Sequence, residues 1–271
     1  MIPKIYIQEW AQIVPWQEPR QVEQDLIITN ALLKLYNHPH LSSSLAFRGG
    51  TALNKLYFNP PTRYSEDIDL VQTIPEPIGQ TLDYMREVLD SWLGEPSRGF
   101  SNGRVTLVYR VVSDQGYPLK VKFEINSREH FSVLGFHDYP FTCNSSWASG
   151  TTMIRTFKIE ELLGTKMRAL YQRRKGRDLY DLYIALKTLP YLDRQAIIHC
   201  FTQYVTIEGN SIPKALFLEN MALKLQNKEF REDIIPLLPR QNEPYNAEIA
   251  YQFVQENLLN LLESNLYAQK P

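Results

Sequence analysis

The sequence predicts an α+β fold: a mixed sheet flanked by helices, followed by an all-helical segment. Three observations predict it. Two stretches, 104–112 and 119–126, alternate apolar and polar residues as half-buried strands do. A Gly-Gly pair, a short helical stretch and an Asp-x-Asp within an apolar run follow one another between Phe47 and Val71. From residue 158 onward strand-like alternation disappears and helical spacing takes over.

Taken in order, Glu18–Tyr36 reads as a helix. Its apolar residues Val22, Leu26, Ala31, Leu32 and Leu35 fit one face only loosely, and Asn37-His38-Pro39 stops it, with His38-Pro39-His40 read as a turn. Leu45–Arg48 reads as a short strand entering Gly49-Gly50. Thr51–Phe58 is a short helix ended by Asn59-Pro60-Pro61. Ile68–Val71 is a strand and Glu76–Leu93 a helix. The two alternating stretches, separated by a Gly-Tyr-Pro turn, form a hairpin, and Thr151–Phe157 is a further strand. Helices are expected over 158–172, 177–189, 194–206, 213–228 and 246–267. The boundary is placed near residue 156, giving domains 1–156 and 157–271.

Composition narrows the class. The 271 residues can bury a proper core, and 44% of them are hydrophobic, as in a globular chain. With 29 basic and 30 acidic side chains, bulk charge does not announce nucleic-acid binding, although a local basic patch remains open. Cys143 and Cys200 are the only cysteines, too few for a disulfide framework or a four-thiolate zinc site, which fits a reducing, cytoplasmic setting. The five histidines show no paired-ligand spacing. MIPKIYIQEW lacks the pattern of a signal peptide, and no stretch approaches the roughly 18 apolar residues of a membrane span, so no membrane association is expected.

The acidic pair carries the chemistry. Side chains alternate across a strand, so Asp67 and Asp69 share one face while Ile68 and Leu70 enter the core. Two like charges so close are costly unless a cation lies between them, and hard oxygen ligands suit Mg²⁺ or Mn²⁺. Glycine lets the backbone of Gly49 and Gly50 approach a ligand closely, and the helix that follows offers N–H groups to an anion. A nucleotide's phosphates held there would also reach the metal. Ser65 projects from the same face if the extended geometry reaches back that far, and Arg63 is the stronger phosphate donor. In LKVKFEINSRE, Glu124 faces opposite to Val121, Phe123 and Ile125, a candidate third metal ligand or base, with Lys122 beside it. A solvated edge explains each feature taken singly; their order in one chain favours a site.

Ile159, Leu162, Leu163, Lys166 and Leu170 follow helical spacing, which puts Lys166 on an apolar stripe. There it must snorkel or pair with an anion such as a triphosphate. Asp178 and Asp181, at the start of the next helix, admit two readings: helix-capping acids, or site residues. The basic run 171–177 is either a solvated loop or a phosphate-facing rim.

Gly-Gly, helix and Asp-x-Asp together resemble the signature of the DNA-polymerase-β-like nucleotidyltransferase superfamily, with a somewhat longer interval from Gly50 to Asp67 than is commonest. The fuller FRGGTALNKLY…RYSEDIDL resembles the AbiEii/AbiGii group, toxin halves of bacterial type IV toxin–antitoxin pairs. EELLGTKMRALYQRRKGRDLYDLYIAL resembles that group's later lysine and Asp-x-x-Asp motifs, so the resemblance spans Phe47–Leu186 in islands. It implies a nucleotidyltransferase-like N-terminal domain and a helical domain completing the active-site cleft. It further implies that Asp67 and Asp69 bind metal, that Ser65 meets the nucleotide phosphates, and that Lys166 with one or both of Asp178 and Asp181 belongs to the site. The arginine pattern expected after the lysine is met only loosely by Arg173 or Arg174. An NTP substrate, an RNA acceptor such as the tRNA 3′ end and a cognate antitoxin are implied with it. The alternatives are transfer to a small molecule or a protein, and a nucleotide-binding module without chemistry.

Overall fold

The computed structural model describes residues 1–239 and 244–263. A short helix α1 (Lys4–Trp10) precedes α2 (Pro19–Tyr36), which is buried on nearly every side. Pro19 occupies its first turn and Glu18 and Gln21 form a capping box. Burial all round explains the loose periodicity of its sequence, because such a helix has no solvent face to mark. Its buried acids have partners, although Glu23 Oε1 has none among the described residues. Glu23 accepts from Ser113 Oγ and Tyr117 OH, both at 2.6 Å, and Asp25 accepts from Trp10 Nε1 and Lys55 Nζ, both at 2.8 Å.

The helix α3 (Pro39–Ser44) leads into β1 (Leu45–Arg48), and α4 (Gly49–Ala52) runs on directly into a π-helical turn, Leu53–Tyr57. Then come β2 (Asp67–Gln72), α5 (Gly79–Leu93), β3 (Ser97–Ser101), β4 (Arg104–Val112), β5 (Pro118–Asn126), β6 (Phe136–Asn144) and β7 (Ser149–Phe157). The strands form one mixed seven-stranded sheet in the order β3-β4-β5-β2-β1-β7-β6. The central pairs β2–β5 and β1–β7 are parallel and the others antiparallel. Alternation sends Val105, Leu107, Tyr109 and Val111 of β4 and Leu119, Val121, Phe123 and Ile125 of β5 into the core.

Met1–Phe157 is one compact unit and Lys158–Pro271 another. The second is helical: α6 (Ile159–Gln172), α7 (Gly176–Thr188), α8 (Arg194–Ile207), α9 (Lys214–Gln226), α10 (Lys228–Glu232) and α11 (Ala247–Asn257). Gly164 lets α6 approach α8 closely, since a Cβ there would lie 2.7 Å from Cys200 Cβ and 2.9 Å from the Ile197 carbonyl. Among the described residues, no helix is long and apolar enough to cross a membrane.

Several expected elements differ in detail. His38-Pro39-His40 opens α3 rather than making a simple turn, because Pro39 sits where a helix needs no N–H. Strands β3 and β6 are additions to the expected elements, and both are sheet edges: β3 is exposed along its length, while β6 alternates from Tyr139 onward across Pro140. Pro140 is tolerated in β6 because that strand is an edge. The last expected helix ends at Asn257, followed by a 3₁₀ turn at Leu259–Leu261; residues 264–267 lie outside those described.

Candidate active site

The first cluster forms where β1 ends beside β2. The two strands run antiparallel with Arg48 opposite Asp69, and the chain turns at once through Gly49 into α4. Gly49 has φ +78°, a conformation open to glycine, and a Cβ there would overlap the Asp69 carboxylate. The acid therefore packs directly on the turn. A Cβ on Gly50 would overlap the Arg63 guanidinium. Arg63 is only 2% exposed and donates to the Tyr64 carbonyl at 3.0 Å, so it underlies the turn from within the unit.

Thr51 supports the acidic strand. Its hydroxyl donates to the Asp67 carbonyl and lies 2.8 Å from Ser65 Oγ. A hydroxyl has one proton, and the carbonyl can only accept. Ser65 therefore donates to Thr51, and meeting a phosphate as a donor would require it to leave that partner.

Asp67 and Asp69 share a face with residues of β5. Parallel pairing sets Asp67 opposite Lys122 and Asp69 opposite Glu124. Lys122 Nζ lies 3.1 Å from Asp67 Oδ2 and 2.8 Å from Glu124 Oε1, while Arg104 lies 3.8 Å from Glu124 on its other side. Burial pulls the Lys122 pKa down, but its bonds to Glu124 and Asp67 outweigh that and raise it. An ammonium thus answers part of the repulsion that the sequence raised. Among the described residues, no three His, Cys, Asp or Glu side chains converge as a ready metal cage. Glu124, expected as a third ligand, is held by Lys122 and Arg104. Two half-buried carboxylates on one face of a strand suit a hard cation that keeps water or phosphate oxygens in its shell.

The helical unit holds a second cluster. Lys166 is 6% exposed, and its Nζ lies 2.9 Å from Asp178 Oδ1 and 3.0 Å from Asp181 Oδ2; both acids are fully buried. Arg173 completes it, with Nε 2.7 Å from Asp178 Oδ2 and Nη2 2.9 Å from Oδ1. Burial alone would push the Asp178 pKa up, but Lys166 and Arg173 reverse this and hold it well below the usual carboxylate range. Within the basic run, Lys175 and Arg177 pair with Asp233 at 3.5 and 3.4 Å. Arg174 is exposed and makes no ion pair among the described residues.

The sequence reading missed Thr51 and Lys224. Lys224 donates to the Tyr171 carbonyl at 2.7 Å and to the Leu170 carbonyl, at the C-terminal end of α6. Burial lowers its pKa to about 8. Its signal was present in Phe217, Met221 and Lys224, which follow helical spacing as the stripe around Lys166 does, and all three are buried.

A family model described as the nucleotidyl transferase AbiEii toxin of type IV toxin–antitoxin systems matches residues 31–253. No curated protein matches the sequence. The fold is similar to that of MenT4, a nucleotidyltransferase toxin of Mycobacterium tuberculosis H37Rv, with TM-score 0.71 and 17% identity over 97% of this chain and 91% of that one. It is also similar to a putative nucleotidyltransferase from Helicobacter pylori, with TM-score 0.52 and 14% identity over 90% of this chain and 99% of that one. With most of its length matched and the double-glycine turn packed on its Asp-x-Asp strand, the chain belongs to the AbiEii family of nucleotidyltransferase toxins.

Proposed function

We propose that this toxin transfers a nucleotidyl group from a nucleoside triphosphate to an RNA acceptor, the 3′ end of tRNA, in a reaction dependent on Mg²⁺ or Mn²⁺. One observation carries the reading: Asp69 lies against Gly49 on the face it shares with Asp67. Carboxylate oxygens and the backbone turn that opens α4 thereby lie side by side, which supports a cation and a phosphate chain meeting there.

In this reading Asp67 and Asp69 hold the divalent cation, which supplies charge neutralisation along the triphosphate. The acceptor hydroxyl oxygen bonds to the α-phosphorus and gives up its proton to solvent, the bond from that phosphorus to the bridging oxygen breaks, and pyrophosphate leaves with the electron pair. Lys122 orients Asp67 and offsets its charge next to Glu124. Gly49 and Gly50 make room for Asp69 and Arg63, and so set the backbone of the turn beside the acidic pair. Lys166 remains a proposed site residue, and its salt bridges to Asp178 and Asp181 hold it in one rotamer. Family membership supports a cognate antitoxin protein, and an RNA substrate fits a cytoplasmic setting.

The test is incubation with each labelled nucleoside triphosphate, Mg²⁺ and total tRNA, with Asp69→Ala as control. Label should enter tRNA with the unaltered chain and not with the variant. Label entering a small molecule or a protein instead would refute the acceptor, and equal toxicity of the unaltered chain and Asp69→Ala in cells would refute catalysis as its cause.

A further inference from the structure

We infer that the open face of β4 and β5 beside Asp67 is the track on which the RNA acceptor lies, with phosphates held by Arg104, Arg110 and Lys120. The inference rests on the RNA-acceptor reading above and adds where the acceptor binds.

Register defines this face. Directly paired residues of a sheet point to the same side. Asp67 pairs with Lys122, which pairs with Val108; Asp69 pairs with Glu124, which pairs with Thr106; Lys120 pairs with Arg110; and Arg104 pairs with Asn126. The opposite side carries the buried apolar residues of both strands. The site face of β4 and β5 therefore bears Arg104, Arg110, Lys120 and Lys122 against one acid, Glu124, in a chain whose net charge is -1. This is a local basic patch that bulk composition conceals.

The charges are not used up internally. Glu124 is shared by Lys122 and Arg104, the latter with its side chain 63% exposed. Arg110 and Lys120 are exposed and have no carboxylate partner among the described residues. Arg110 donates to Ser97 Oγ at 2.8 Å and retains its other guanidinium donors. With strands about 4.8 Å apart and residues about 3.3 Å along them, the Lys120 Cα lies about 8 Å from that of Asp67 and the Arg110 Cα about 12 Å. Cations thus lead away from the acidic pair across the sheet.

A polyanion suits this face better than a protein. Protein interfaces are anchored by buried aromatic and large aliphatic residues, whereas the paired positions between these cations carry Thr106 and Val108. Cations spread along a sheet face suit phosphate contacts, which grip a strand by its backbone whatever its sequence.

The test compares the full chain with Arg110→Gln/Lys120→Gln and Arg110→Glu/Lys120→Glu, using labelled total tRNA over a salt series. Calorimetry with a non-hydrolysable nucleoside triphosphate and thermal melting are run in parallel. We expect the Gln pair to weaken tRNA binding on the order of tenfold and to flatten the slope of log affinity against log salt by about 1.4 to 1.8, with nucleotide affinity and melting temperature kept. The Glu pair should abolish detectable binding. Unchanged tRNA affinity and salt slope in both pairs, while the unaltered chain still labels tRNA, overturns the track and leaves the acceptor reading intact. Failure of the unaltered chain to bind or label any tRNA overturns both. Loss of antitoxin binding with tRNA binding unchanged would assign the face to a protein and overturn the inference.

Discussion

Lys122 Nζ stands 3.1 Å from Asp67 Oδ2, on the neighbouring parallel strand and in direct register with it. The same ammonium reaches Glu124 at 2.8 Å, so one cation separates two acids of a three-acid face. Replacing it should expose their repulsion. Lys122→Met is expected to lower the melting temperature in metal-free buffer and to give a larger Mn²⁺-induced rise than the unaltered chain. Nucleotidyl transfer should fall at least tenfold, about 1.4 kcal/mol of transition-state stabilisation. Scanning fluorimetry with and without Mn²⁺ decides the first point; an identical metal response in both proteins would show that Lys122 does not balance the site.

Gly49 offers a sharper test of the turn. Ala there must adopt φ +78° and push Asp69 aside. Gly49→Ala should cost about 1–3 kcal/mol in urea unfolding and abolish transfer, because a displaced carboxylate no longer holds the cation against the phosphates. Retained transfer would separate the turn from the chemistry.

Asp178 links charge to stability. Its native pKa is depressed below the unfolded 3.8, so its contribution is fully present above that value and is lost as pH falls through the lower native one. Asp178→Asn leaves Lys166 and Arg173 short of a buried counter-charge and should cost about 3–5 kcal/mol at neutral pH. The difference between the two proteins should shrink in strong acid. A constant difference across the acid range would contradict the pairing.

Lys224 predicts a slope of the same sign in the alkaline range. Its native pKa of about 8 lies below the unfolded 10.5, so between these values the unfolded chain binds more protons and the lysine's contribution rises with pH. Compared with Lys224→Met, the unaltered chain should gain stability over that window. Parallel curves from pH 8 to 10.5 would remove the buried ammonium from the account.

Gly164 tests the close helix pair. Gly164→Ala puts a methyl group within 2.7 Å of Cys200 Cβ and 2.9 Å of the Ile197 carbonyl. Despite alanine's better helix propensity, destabilisation by about 1–3 kcal/mol is expected by chemical denaturation. A stabilised variant would mean that α8 shifts freely.

Much of the fold was legible because its signals are local. Alternation fixed β4 and β5 to within a residue, and the apolar stripe of α6 announced Lys166 as an anomaly. The edge strands β3 and β6 were not legible: β3 is exposed throughout and leaves no alternation to read, and in β6 Pro140 reads as a breaker within the alternation of Tyr139, Phe141 and Cys143. Nor was the helix at Pro39, where a residue common to turns and helix starts points both ways.

By itself the sequence determined which residues share a face: Asp67 with Asp69 along one strand, and Lys166 on the buried stripe of its helix. Those relations follow from the periods of strand and helix, which any short stretch carries. Only the tertiary structure decided the partners. It set Asp69 on Gly49, Lys122 between Asp67 and Glu124, Arg63 beneath the turn and Lys166 between two buried aspartates. Such contacts join residues far apart in the chain, and they are selected by sheet register and helix packing, which no local period encodes.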